Sequence, residues 1–201
     1  MIIGIVGAAR SGKGTVSETL MNTFDGFREL SFADKLKEMC MEMLGLTWEQ
    51  CYGDQKEILD QRYGKTPRWL LQYMGTEVFR SIYPEIWIWH WDNTCTQLLR
   101  TEGVEHIIVP DVRFPNEVRA IKARGGYIWK TVREGHHGAS GGIEGHASEN
   151  SLTHLQDSEI DLVLTAPDGE LDITRQRVRE EARKLLGARA RGVKQPSLPM
   201  V

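Results

Sequence analysis

The residues with the clearest chemical purpose lie near the start of the chain, in Gly7-Ala8-Ala9-Arg10-Ser11-Gly12-Lys13-Gly14-Thr15. They match the G-x-x-x-x-G-K spacing of a phosphate-binding loop, with Gly14-Thr15 where many such loops carry a single Ser or Thr. Glycines let consecutive backbone N–H groups converge on an anion, a following helix adds a partial positive charge at its N-terminus, and Lys13 adds a full one. Gly7, Arg10, Ser11, Gly12, Lys13, Gly14 and Thr15 are therefore expected to hold a nucleoside triphosphate, with the Thr15 hydroxyl offered directly to Mg²⁺.

A second group is Val109-Pro110-Asp111-Val112-Arg113-Phe114-Pro115-Asn116-Glu117. An aspartate closing an apolar strand, in a sheet whose first strand feeds a phosphate loop, stands where Mg²⁺ or a reacting oxygen would be. The plainer alternative for Asp111 is a helix N-cap. Arg113, two residues past the strand, projects into the same crevice and suits bidentate contact with a phosphate. Arg68, Gln72 and Arg80, with Thr76 and Glu77 between them, lie near one helical face. They offer forked cations, an amide and a carboxylate to one small polar ligand, against the simpler reading of a solvated face. Arg133 ends a strand and precedes a glycine-rich stretch, so it is either a surface arginine or one that closes onto a transferring phosphoryl group. His136, His137 and His146 do not make a metal site, because no Cys or acidic partner recurs at ligand spacing. The six tryptophans read as packing residues, since no basic residues interleave with them.

The elements that must position these side chains follow from periodicity. Met1–Gly7 is a short β-branched run stopping at glycines, as a buried parallel strand does, and Thr15–Phe24 places Val16, Leu20 and Phe24 on one helical stripe. Arg28–Phe32 and the helical pattern from Ala33 to Gly45 form a second such unit. The polar stretch from Thr47 to Thr66 has no clean period and reads as a short helix plus a mobile excursion. Pro67 suits the first turn of a helix of about four turns. After Pro84-Glu85, Trp87, Trp89 and Trp91 alternate like a strand, but Ile88, Trp91, Cys95, Leu98 and Leu99 fit a helix, and a helix is expected. His106–Pro110, Tyr127–Val132 and Ile160–Leu164 are further strands, and Ile173 to Leu186 a last helix. Right-handed crossovers in this α/β alternation put a ligand crevice at the carboxyl ends of the strands.

The 201 residues suit one domain, taken as 1–187, with an excursion at 47–66, a lid-like glycine-rich loop at 134–150 and a flexible basic tail at 188–201. Hydrophobic residues at 40% and charged residues at 26% exclude a disordered chain or a rod. A formal charge of −3 argues against a whole-surface affinity for nucleic acid or anionic membrane, so any anion site must be local. The basic tail is the one feature that favours DNA. Cys40, Cys51 and Cys95 form no framework and suit a reducing cytosol. No apolar stretch signals secretion or membrane insertion.

Five blocks occur in a telling order: Gly7–Thr15, Phe32-Ala33-Asp34-Lys35-Leu36-Lys37, Arg68-x-x-x-Gln72-x-x-Gly75-Thr76-Glu77, Pro110–Glu117 and His146-Ala147-Ser148-Glu149. Together they resemble the phage-type deoxynucleoside monophosphate kinases of the P-loop nucleoside monophosphate kinase superfamily, from Met1 to Leu186. The resemblance implies a three-layer α/β/α fold around a mainly parallel five-stranded sheet, with helices on both faces. It implies an ATP·Mg²⁺ donor and a deoxynucleoside monophosphate acceptor, converted to the diphosphate in the cytoplasm, of the host if the chain is phage-encoded. By position, Lys13 and Thr15 would serve ATP and Mg²⁺, with Asp111 reaching the metal through water. Asp34, Lys37, Arg68, Gln72, Thr76, Glu77, Asp111 and Arg113 would line the acceptor side, Arg133 would belong to the lid, and His146 and Glu149 match the last block. Lys13, Asp111, Arg113 and Arg133 form the expected catalytic set. Gly14 follows Lys13 where many relatives carry Asp, which leaves metal ligation open, and the glycine- and histidine-rich stretch before His146 departs from the pattern. Related chemistry would have hydroxymethylated bases in phage DNA or another phosphorylated metabolite as acceptor. A nucleotide-binding regulatory ATPase would have none. A homodimer is compatible with all of these.

Overall fold

The structure, a computed structural model, describes residues 1–134, 155–167 and 169–190. His146, Glu149 and most of the glycine-rich stretch lie outside the described residues.

Five strands, β1 (Ile2–Val6), β2 (Phe27–Glu29), β3 (His106–Val109), β4 (Tyr127–Glu134) and β5 (Leu162–Pro167), form one sheet in the order β2-β3-β1-β4-β5. Every pairing is parallel, so the expected mainly parallel sheet is parallel throughout. Parallel pairing demands long crossovers, and helices supply them: α1 (Lys13–Thr23), α2 (Asp34–Leu44), the short α3 (Trp48–Cys51), α4 (Pro67–Gln72), α5 (Ile86–Thr101), α6 (Pro115–Ala123) and α7 (Leu171–Ala190).

The period-2 alternation of the central strands divides the core. Ile3 and Ile5 of β1, Ile108 of β3 and Trp129 of β4 face α1 and α7, packing on Val16, Leu20, Val178 and Ala182. Ile2, Val6, Ile107, Val109 and Ile128 face the other way, onto α2, α5 and α6. The result is a three-layer α/β/α arrangement. The tryptophan segment is helical because Trp87, Trp91, Cys95 and Leu98 bury one stripe while Trp89 stays 56% exposed.

Several boundaries move. β2 is only Phe27–Glu29, because Leu30 to Ala33 already turn into α2. β4 runs to Glu134, two residues past the expected end, so Arg133 lies inside the strand in register with Ala166 of β5. The last helix continues to Ala190, three residues into the stretch expected as tail. No helix among the described residues is long and apolar enough to cross a membrane.

The chain bends away from β1 and β3 at matching levels. Gly4 is in register with Val109, so Val6 and Asp111 each lie two residues beyond that pair. Strand order reverses at β1, since α1 leads from it to one side of the sheet and α6 carries the chain back across it to β4. The crevice outside these carboxyl ends is where open α/β sheets bind ligands.

Candidate active site

The first part of the crevice is the loop from Gly7 to Gly12, leading from β1 into α1. Gly7 has φ +152°, and a Cβ there would stand 2.4 Å from the Thr131 Oγ1 atom and 2.5 Å from the Ser11 Oγ atom. Only glycine lets the chain leave β1 this close to β4. Thr131 and the buried Ser11 share a hydroxyl hydrogen bond of 2.6 Å, and Thr131 Oγ1 also donates to the Val6 carbonyl at 3.3 Å, fixing the loop's base. Arg10 has φ +60°, a left-handed conformation uncommon for a residue with a Cβ, and is exposed at the loop tip. Gly12 (φ +101°) and Gly14 have open space where a Cβ would stand. The Lys13 Nζ donates to the carbonyls of Gly7 at 2.8 Å and Ala8 at 2.7 Å, which places the ammonium against the loop. Thr15 sits half-buried in the first turn of α1. Helix-start N–H groups, an ammonium and a hydroxyl make a donor set that fits a polyphosphate and a hard divalent cation.

The second part is a cavity of about 210 Å³ beyond β3. Its walls carry five cationic side chains, Lys37, Lys56, Arg68, Arg80 and Arg113, against two carboxylates, Asp111 and Glu117. In a chain of net charge −3 this is a local concentration of positive charge. Phe32, Leu36, Leu71, Trp87 and Phe114 make the apolar side, with Gln72 and Thr76 as uncharged polar groups.

Arg68, Gln72, Thr76 and Arg80 reach one cavity through a change of helix type. At about 100° per residue, twelve residues of regular α-helix would leave Arg80 roughly 120° away from Arg68. From Tyr73 to Arg80, however, the helix is π, and its wider turns rotate less per residue. Arg80 is thereby kept on the cavity side. Gly75 permits the packing of this segment on α2, since a Cβ there would lie 2.7 Å from the Leu36 Cδ2 atom. Its carbonyl accepts a 2.8 Å hydrogen bond from the Trp87 indole. Glu77, on the exposed side, does not line the cavity.

Asp111 does cap a helix start, although not that of the helix following it in sequence. Its Oδ1 accepts from the Phe32 N–H and its Oδ2 from the Ala33 N–H, both at 3.0 Å, so it ties the end of β3 to the start of α2. Lys37, one turn into α2, lines the cavity, whereas Asp34 accepts from the Ser31 N–H at 2.8 Å and faces a separate hollow with Tyr52 and His90. Burial raises the Asp34 carboxyl above its ordinary value despite that bond and nearby Lys37. Arg133 is not among the cavity-lining residues.

Glu117 organises the floor. Buried to 2% exposure, it accepts from the backbone N–H groups of Arg113 (2.6 Å) and Phe114 (3.0 Å) and is paired with Arg80. Arg80 also lies over the Phe114 ring at 4.1 Å. Burial pushes the Glu117 carboxyl up to about 7 although Arg80 opposes the shift. Its capping position, three residues after Phe114 with Pro115 between, was a readable signal. Thr131 and Lys56 carried none: one is a strand threonine, the other a lysine in an aperiodic stretch.

Compared with models of known protein families, the chain matches none. It is 36% identical over 174 residues to the "Putative deoxynucleotide monophosphate kinase" of Acanthamoeba polyphaga mimivirus, covering 81% of this chain and 88% of that one. That relative, together with the three-layer α/β/α fold, makes the chain a nucleotide kinase. The chain belongs to the deoxynucleotide monophosphate kinase family.

Proposed function

We propose that this kinase moves the γ-phosphoryl group of ATP onto a 5′-phosphate oxygen of a deoxynucleoside monophosphate, giving the diphosphate and ADP. The observation that carries this reading is the adjacency of two cation-rich sites, the glycine-rich loop after β1 and the cavity after β3, on hydrogen-bonded neighbouring strands.

In the transfer, an acceptor phosphate oxygen bonds to the γ-phosphorus as the bond from that phosphorus to the β–γ bridging oxygen breaks. The acceptor oxygen is already ionised near neutral pH, so no general base is required, and catalysis reduces to positioning and charge neutralisation. Lys13 and the loop amides hold the donor's phosphates. Arg68, Lys37 and Arg113 hold the acceptor's, Gln72 and Thr76 face its nucleoside, and Arg113 and Arg133 neutralise charge on the group in transit. Mg²⁺ would add Lewis-acid neutralisation of the donor phosphates, held directly by Thr15 and through water by Asp111. Asp111 has a second task of its own: by holding the Phe32 and Ala33 amides it keeps the wall that carries Lys37 in place.

The test is a panel of four dNMPs and four NMPs with γ-labelled ATP. Label appearing in deoxynucleoside diphosphates, with little ATP hydrolysis when acceptor is omitted, is the expected result. Label passing only to hydroxymethyluracil-containing DNA, or hydrolysis indifferent to any acceptor, would sink the reading.

A further inference from the structure

The excursion between α3 and α4 sends one side chain, Lys56, into the cavity. The charges facing it come from every element around it: Lys37 on α2, Arg68 on α4 and Arg113 beyond β3, with the Cys51 thiol of α3 nearby. All three cations share its sign, and the two carboxylates of the same cavity are engaged elsewhere, Asp111 with the Phe32 and Ala33 amides and Glu117 with Arg80. Lys37 has Asp34 at 3.8 Å and the Tyr52 ring at 4.1 Å, and Arg68 is paired with Glu57. Among the described residues no carboxylate lies within ion-pair distance of Lys56.

A half-buried cation surrounded by cations is unfavourable, yet the turn that carries it is firmly held. Arg68 grips Glu57, the residue after Lys56. A few residues on, the buried Asp60 accepts from the Arg62 guanidinium at 2.6 and 3.0 Å and from the Gln50 amide at 3.0 Å, and Tyr63 donates to the Leu44 carbonyl at 2.7 Å. The turn is thus fastened to α2, α3 and α4 around an ammonium that has no carboxylate at ion-pair distance among the described residues. Burial, then Lys37 and Arg68, bring that ammonium down to about 8.

We infer that Lys56 is a phosphate-binding residue of the acceptor site, and that the missing counter-charge is the dianionic 5′-phosphate of the incoming monophosphate. This rests on the kinase reading above for the identity of the ligand. A bound dianion favours the charged ammonium, so above pH of about 8 binding draws a proton from solution, and the acceptor binds less tightly as pH rises.

The experiment compares the full-length chain with Lys56→Ala and Lys56→Arg, reading KM for acceptor and for ATP separately from about pH 7 to 9.5. Calorimetry of dNMP binding without ATP, in two buffers of different ionisation enthalpy, runs alongside. Lys56→Ala is expected to raise the acceptor KM about tenfold to a hundredfold, the loss of one charge-assisted contact, with the ATP KM unchanged. Lys56→Arg should restore most of it and remove the rise in acceptor KM above pH of about 8, because arginine stays charged. An acceptor KM in Lys56→Ala equal to that of the parent, or acceptor and ATP affinities weakened alike, would overturn the inference. The kinase reading fails separately: dNMP binding with proton uptake but no diphosphate formed would sustain Lys56 and sink the transfer.

Discussion

At the end of β1, nine consecutive residues bring backbone amides, an ammonium and a hydroxyl together, and the sequence that does so is contiguous. At the end of β3, the cavity takes its cations from α2, the turn before α4, the α4–π helix and the Asp111–Glu117 segment, separated by up to some eighty residues. The loop owes its geometry to backbone conformation, so its weak points are steric. The cavity owes its geometry to ion pairs and caps between elements, so its weak points are electrostatic. Damage to the two halves should therefore separate in different measurements.

The largest expected effect is on the loop side. Lys13→Ala removes the ammonium that the proposed transfer sets against the donor phosphates, and turnover should fall on the order of a thousandfold with melting temperature preserved. A rise confined to the ATP KM would show that Lys13 binds without contributing to the transition state. Next is the floor of the cavity: Glu117→Ala leaves the half-buried Arg80 without its carboxylate and should cost about 3–5 kcal/mol in urea unfolding. The same carboxyl gives a pH signature. Its folded value of about 7 lies above its ordinary 4.5, so between those values the folded state binds more protons than the unfolded, and its contribution to stability falls as pH rises. The parent should lose stability relative to Glu117→Gln across that window, and parallel curves would place the proton elsewhere. Arg68→Ala should raise the acceptor KM about tenfold to a hundredfold and leave ATP nearly untouched. Equal changes in both would erase the proposed division of labour. Gly75→Ala, whose Cβ meets Leu36, should destabilise by about 1–3 kcal/mol and weaken acceptor more than ATP. Smallest is Thr131→Val, which loses the Ser11 hydrogen bond beneath the loop and should cost about 1 kcal/mol, with ATP affinity shifting before acceptor affinity.

The same contrast governs what could be read in advance. Gly7–Thr15 was legible because a backbone-made site needs its residues in one run. The strands His106–Val109 and Ile2–Val6 were legible because strands buried on both faces are continuously apolar, and the tryptophan helix because a longer window outvotes a local alternation. Asp111 was placed correctly at a strand end, but its partners Phe32 and Ala33 belong to another element, and no spacing encodes that meeting. Arg68, Gln72 and Arg80 were rightly grouped on one face, though a regular helix would have dispersed them. Lys56 was invisible: its environment is made by three other elements and by nothing in the residues beside it. Asp34, drawn from a matching block, faces the neighbouring hollow, because its side chain folds back on the Ser31 amide while Lys37 reaches forward.

The stretch of wide turns from Tyr73 to Arg80 has an evolutionary side. A helix wound this loosely stores about one residue of slack, so deleting Met74 would let it tighten to the ordinary pitch with the terminal guanidinium still on the pocket side, eleven residues at about 100° leaving it only about 20° from Arg68. Chain length can therefore change here by one residue with the charged wall of the pocket kept.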